Sequence, residues 1–136
     1  VSETGQVPHI DTELAEIYRA GVQDDFSALE NILEKIINNP DDQFEAIDQA
    51  RGIVHNIKGQ GTSFGFPLIT TIADSFYKLL KHELEQNALH ASTPKLFEAH
   101  LKAMKSIIVN EIYGEGPDLM QIIAESLKKN VNQVIY

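Results

Sequence analysis

The 136-residue sequence contains no cysteine, which removes disulfides, thiol catalysis and cysteine-ligated zinc from consideration. That absence fits a cytoplasmic setting. Positive charge is also scarce: 11 Lys and Arg stand against 20 Asp and Glu, a formal net charge of −9. Such a surface repels a phosphate backbone, so non-specific nucleic-acid binding is not expected. No apolar run approaches the roughly 20 residues that a membrane helix needs, and no signal-peptide pattern opens the chain, so no membrane insertion is expected. The chain begins at Val1 rather than methionine, as one trimmed or cut from something larger would. Several catalytic signatures are missing too: no Walker-type glycine loop, no nucleophile elbow and no His-Glu-x-x-His. The residues three before the five histidines are Gln6, Gly52, Leu79, Asn87 and Phe97, so a di-iron bundle built on Glu-x-x-His fails. No metal and no cofactor is therefore expected. His9, His82, His90 and His100 read as plain surface or helix-end residues.

What remains is a chain of 43% hydrophobic residues, suited to a single domain with one continuous core. Residues 1–136 read as one unit, with 1–10 a flexible N-terminal lead. Helical periodicity dominates from about Asp11 onward. Leu14, Ile17 and Tyr18 recur after an Asp11–Thr12 start, and Gly21 interrupts them, which allows a short separate helix at the front. Phe26, Leu29, Ile32, Leu33, Ile36 and Ile37 mark the face of the next stretch. Asn38-Asn39-Pro40-Asp41 stops it, with Asp41 or Asp42 available to cap a helix from about Asp42 to Phe64. Gly65-Phe66-Pro67 ends that one. Leu68, Ile72, Phe76, Leu79, Leu80 and Leu84 define a further helix. Ser92 or Thr93 can cap the next, with Pro94 at its first position and Leu96, Phe97, Leu101, Met104, Ile107 and Ile108 facing inward. After Gly114-Glu115-Gly116-Pro117, a last helix turns Leu119, Ile122, Ile123, Leu127 and Val131 to the core. No stretch alternates with period two. The expected fold is all-α: an up-and-down antiparallel four-helix bundle with an additional C-terminal helix.

The most informative segment is Arg51-Gly-Ile-Val-His55-Asn-Ile-Lys58-Gly59-Gln-Gly61-Thr-Ser-Phe64-Gly65-Phe66. At about 100° per residue, Ala46, Ile47, Ala50, Ile53, Val54, Ile57 and Phe64 gather on one side. His55 then points roughly 140° from their centre, among Asp48, Arg51, Gly52, Lys58, Gly59 and Thr62. Gly52 and Gly59 flank it above and below, and each costs a helix on the order of 1 kcal/mol relative to alanine. Bare backbone there clears space for another protein to reach the ring. Gly61 falls inward and reads as close helix packing. Lys58, one turn from His55, disfavours a second positive charge on the ring and so favours a neutral, nucleophilic nitrogen. The same ammonium would offset an anionic group attached to that nitrogen.

An isolated His-x-x-Lys pair is commonplace on helix surfaces, but His55-x-x-Lys58-Gly59 followed by Gly65 resembles the signature of histidine-containing phosphotransfer (HPt) domains. The string from His55 to Phe66 looks particularly like the N-terminal phosphotransfer domain of chemotaxis-type histidine kinases. The resemblance implies a four-helix bundle with His55 exposed in mid-helix. His55 would accept a phosphoryl group and pass it to or from a response-regulator receiver aspartate, in a relay with a histidine kinase or hybrid kinase. Such a module has no ATP site of its own and is not a complete kinase. The resemblance assigns Lys58 to phosphate charge, Gly59 to partner access and Gly65 to the second glycine of the motif. Gly52 and Thr62 join them as candidate contacts. One departure stands out: where chemotaxis-type domains place a glutamate against the other ring nitrogen, an ungapped count puts Tyr77. Gln60 likewise stands where many such domains carry a small residue. The alternative function is a non-phosphorylated adaptor that binds a receiver or kinase through the same face. Ile10, Leu14 and Ile17 are either partner-facing or bundle core.

Overall fold

The computed structural model describes residues 12–136. Five α-helices account for nearly all of them: α1 Thr12–Asn38, α2 Gln43–Gly61, α3 Pro67–Gln86, α4 Thr93–Val109 and α5 Asp118–Ile135. There is no strand among the described residues. Single turns of 3-10 helix at Pro40–Asp42 and Thr62–Phe64 lead into and out of α2. Each of the first four helices packs on its sequence neighbour, and α4 closes the ring by packing on α1. α5 lies against both α3 and α4. The architecture is thus an all-α bundle of four helices with one more at the C-terminal end. The expectations for the 1–10 lead, the Asp11 cap, His9 and Ile10 lie outside the described residues.

Burial of one stripe per helix builds this arrangement. Phe26, Leu29 and Ile36 of α1, Ile47 and Ile57 of α2, Ile69, Ile72 and Phe76 of α3, and Phe97 of α4 are almost wholly removed from water. Phe76 meets the edge of Phe97 at 4.8 Å between ring centres and stacks on His100 at 5.0 Å. A smaller cluster of Leu79, Leu96 and Val131 fastens the C-terminal half of α5.

The structure corrects several expectations. Gly21 does not break α1, which runs unbroken for 27 residues. Val22 and Phe26 bury on either side of the next turn and carry the helix through an exposed glycine. The core stripes are also narrower than the apolar spacing suggests. Ile37 is 59% exposed, Leu119 65% and Ile122 63%, while Met120 and Ala124 take the inward positions of α5. Leu14 and Ile17 face outward, and Ala15 and Tyr18 fill the core beside them. Asp42 occupies the N-cap position of α2 and Ser92 that of α4, yet neither makes a side-chain cap hydrogen bond. Glu83, a buried carboxylate on α3, organises the start of α4 instead. Its Oε2 accepts the backbone N–H of His90 at 2.9 Å, and its Oε1 accepts the Thr93 hydroxyl at 2.7 Å. A charge withdrawn from water needs such donors, and Thr93 is drawn to it rather than to its own helix end.

His100 is not a surface residue but fully buried. Its Nδ1 lies 2.6 Å from the Leu96 carbonyl, which can only accept, so Nδ1 carries the hydrogen. Nε2 then accepts the Ser75 hydroxyl at 2.7 Å. Burial pushes the imidazole down to about 4, against the opposing effect of the Leu96 carbonyl. Between that value and the ordinary range near 6.5, the unfolded chain binds a proton that the folded chain does not, so stability rises with pH. We expect His100 to cost the fold on the order of 3 kcal/mol as the pH falls from 6.5 to 4. Urea unfolding across that range should show the loss in the parent chain and a flatter profile in His100→Asn. Parallel profiles would refute it.

Candidate functional site

The stripe Ala46, Ile47, Ala50, Val54, Ile57 is buried, with Ile53 partly so, and it fixes the rotation of α2 about its axis. His55 is thereby held outward and exposed in the middle of the helix. The far end of α2 is pinned by a close approach to α3. A methyl group on Gly61 would lie 2.6 Å from Oγ1 of Thr70 and 3.1 Å from the Phe66 carbonyl oxygen. Thr70 uses the room to donate to the Lys58 carbonyl at 3.3 Å, while accepting the Thr62 hydroxyl at 2.9 Å. Gly65 then turns the chain with φ 89°, a left-handed conformation that side chains disfavour.

α3 runs back past the exposed face and brings Tyr77 against His55, with ring centres 5.5 Å apart and planes tilted by 44°. The ungapped count therefore lands on the residue that packs on the ring. Among the described residues, His55 has this ring contact and no hydrogen bond or ion pair. Lys58 does not stand free beside it. Its Nζ is 2.9 Å from Oδ1 of Asp74 and 5.2 Å from the centre of the Tyr77 ring. Asp74 binds Lys78 through its other oxygen at 3.1 Å. Burial raises the Asp74 carboxyl, but hydrogen bonds and charge from Lys58 and Lys78 outweigh it and hold the group below its ordinary range. On the other flank, Arg51 lies 2.7 Å from Asp48. That hydrogen bond is the main cause that raises the guanidinium further, with a smaller contribution from the Tyr77 hydroxyl.

The predicted residues divide into two groups. His55, Lys58 and Tyr77 come together at the α2–α3 seam, and Gly52 and Gly59 lie on the same helix surface. Methyl groups on Gly52 or Gly59 would meet nothing within 4 Å beyond the helix's own backbone. No packing inside the protein requires glycine at either place. Thr62 and Gly65 belong instead to the turn that joins α2 to α3. Gly65 is buried, and its carbonyl accepts the backbone N–H of Gly114 at 3.0 Å. Its part is to shape the turn. Asp74 is the residue that sequence reading missed. The Asp74–Lys78 spacing of four was a visible helical ion pair, but nothing in it pointed across to Lys58. Beside His55, on the α1 side, a shallow groove is lined by Ile32, Lys35, Gln49, Gly52 and Asn56. Among the described residues, no group of His, Asp and Glu side chains is placed to hold a metal ion. None of the helices there is long and apolar enough to cross a membrane.

Fold and site thus define an α-helical bundle that presents a solvent-facing histidine in mid-helix between accessible glycines. The family model for the Hpt domain matches residues 13–111, and the chain belongs to the Hpt domain family, with a histidine phosphotransfer role in two-component signalling. The matched span holds the first four helices, and α5 lies beyond it. Comparison with curated proteins and with solved structures gave no match.

The glycines give a test of opposite signs. Gly52→Ala and Gly59→Ala should each raise the unfolding free energy by up to about 1 kcal/mol, because alanine is the better helix former and the space is open. Gly61→Ala should lower it by about 1–3 kcal/mol, through the clash with Thr70 and the Phe66 carbonyl. Equilibrium urea unfolding measures all three. A loss at Gly52 or Gly59 as large as at Gly61 would mean that those positions are packed after all.

Proposed function

We propose that His55 is the phosphoryl acceptor of this module and exchanges its phosphoryl group with a receiver aspartate. The observation that carries the reading is the exposed mid-helix ring of His55 between the open backbone of Gly52 and Gly59. A neutral ring nitrogen attacks phosphorus in line with the bond to be broken. The N–P bond forms as the P–O bond of the acyl phosphate breaks, and its electron pair leaves on the receiver carboxylate. Transfer onward is the reverse of this step. With a kinase as donor, the leaving oxygen belongs to ADP, and the kinase supplies the nucleotide site. Tyr77 supports one edge of the ring, and the ammonium of Lys58 is within a side chain's swing of the new phosphoryl oxygens. Partners that fit are a receiver domain and a histidine kinase or hybrid kinase. Residues 1–136 act as one carrier unit in this reading.

Incubation with a phosphorylated receiver should leave acid-labile label on the parent chain and none on His55→Gln. Label retained by His55→Gln would sink the assignment. Receiver binding that survives in His55→Gln, with no phosphoryl movement in the parent, would favour the adaptor reading, which the uncharged Tyr77 in place of a glutamate leaves open. Lys58→Ala should slow transfer about tenfold, the loss of one charge-assisted contact to phosphate, while its urea midpoint stays within the small range of surface changes. An unchanged transfer rate would remove Lys58 from the chemistry.

A further inference from the structure

At rest, Lys58 reaches across to α3. Its Nζ is 2.9 Å from Asp74, and it stands 5.2 Å from the centre of the ring that packs on His55. Asp74 divides its two oxygens between two cations, Oδ1 to Lys58 and Oδ2 to Lys78. The ammoniums therefore do not compete for one oxygen. Removal of either still leaves the carboxylate paired.

We infer that Asp74 is a positioning residue that stores Lys58 beside the resting histidine and releases it to the phosphoryl group, with Lys78 staying behind to neutralise the carboxylate. The inference rests on His55 being the acceptor. Lys58 and Asp74 are each 35% exposed and Lys78 is 56% exposed. Pairs so open to water are weak and easily exchanged. A phosphoryl group carries more negative charge than a carboxylate and makes stronger charge-assisted hydrogen bonds, so it outcompetes Asp74 for Lys58. The four-carbon stem of lysine allows the swing with α2 and α3 in place. Lys78 is what makes release inexpensive: without it, a bare carboxylate would face the incoming dianion. Asp74 therefore opposes arrival of the phosphoryl group by holding Lys58, and Lys78 favours arrival by replacing it.

The test uses the full chain with phosphoramidate, whose P–N bond breaks with loss of ammonia as the bond to His55 forms. The rate of phosphohistidine formation is followed by phosphorus NMR. Asp74→Asn should raise that rate about two- to fivefold and Lys78→Met should lower it by a similar factor, the range expected for exchange of one exposed ion pair. The Asp74→Asn effect should vanish in a Lys58→Ala background, where Lys78 still neutralises the carboxylate, which a merely structural role for Asp74 would not predict. The Lys78→Met effect should persist there, since it bares Asp74 to the dianion. In the parent chain, phosphorylation should shift the Lys58 Nζ and Asp74 Cγ resonances while leaving Lys78 Nζ in place, a measurement that needs no variant. Rates within about twofold of the parent in both variants, or an Asp74→Asn effect that persists without Lys58, would overturn the exchange. So would an unshifted Lys58 Nζ. If no label reaches His55 in the parent, both this inference and the acceptor assignment fall. If label arrives normally while Asp74 and Lys78 are silent, only the exchange does.

Discussion

The seam between α2 and α3 is the constraint on which the rest of the structure depends, because it sets both the rotation of α2 and the register of α3 beneath its exposed face. Ala46, Ile47, Ala50, Val54 and Ile57 bury toward the core, and a helix with one apolar stripe has a single rotation that removes that stripe from water. The backbone of Gly61 against Thr70 and the Phe66 carbonyl draws the two helices together at one end. The left-handed turn at Gly65 then sends α3 back along α2. Tyr77 and Asp74 arrive beside His55 and Lys58 because that turn has one geometry. A change at Gly61 or Gly65 would displace the site without touching a residue in it.

The charge around His55 is organised in local pairs rather than as an open basic patch. Arg51 is held by Asp48, and Lys58 shares Asp74 with Lys78. The chain as a whole has a net charge of −9, so these cations are a local departure from its acidic balance. Cations are kept on the face of the bundle that carries His55, and each has a carboxylate partner there. The pairs are half-exposed, so their worth to folding is small and their availability for exchange is high. The buried polar groups behave in the opposite way. Glu83 and His100 are each fully bonded within the core, and their loss would register in stability rather than in exchange.

Much of the fold could be read from residue order because the helices have strong punctuation. Pro40, Gly65-Phe66-Pro67, Pro94 and Gly116-Pro117 mark boundaries that hold to within a few residues. Misreadings came where apolar residues exceed what a bundle can bury. Ile37, Leu119 and Ile122 have the right spacing for a core face but lie at its edge, and spacing alone carries no measure of how wide the buried stripe is. Gly21 misled in the other direction, since tertiary burial of Val22 and Phe26 overrides one weak helix former.

At His55 itself the division is clear. Residue order alone determined that the ring faces away from the apolar stripe of α2, that Gly52 and Gly59 leave its surroundings bare, and that Lys58 lies one turn along. These follow from helical periodicity within a single element, which needs no knowledge of neighbours. Resemblance supplied the phosphoryl chemistry. Only the tertiary structure decided what lies across from the histidine. It placed Tyr77 on the ring, paired Lys58 with Asp74 and hid His100 against Phe76. Those contacts join residues on different helices, and their existence depends on a crossing and a register that no periodicity within one helix can specify.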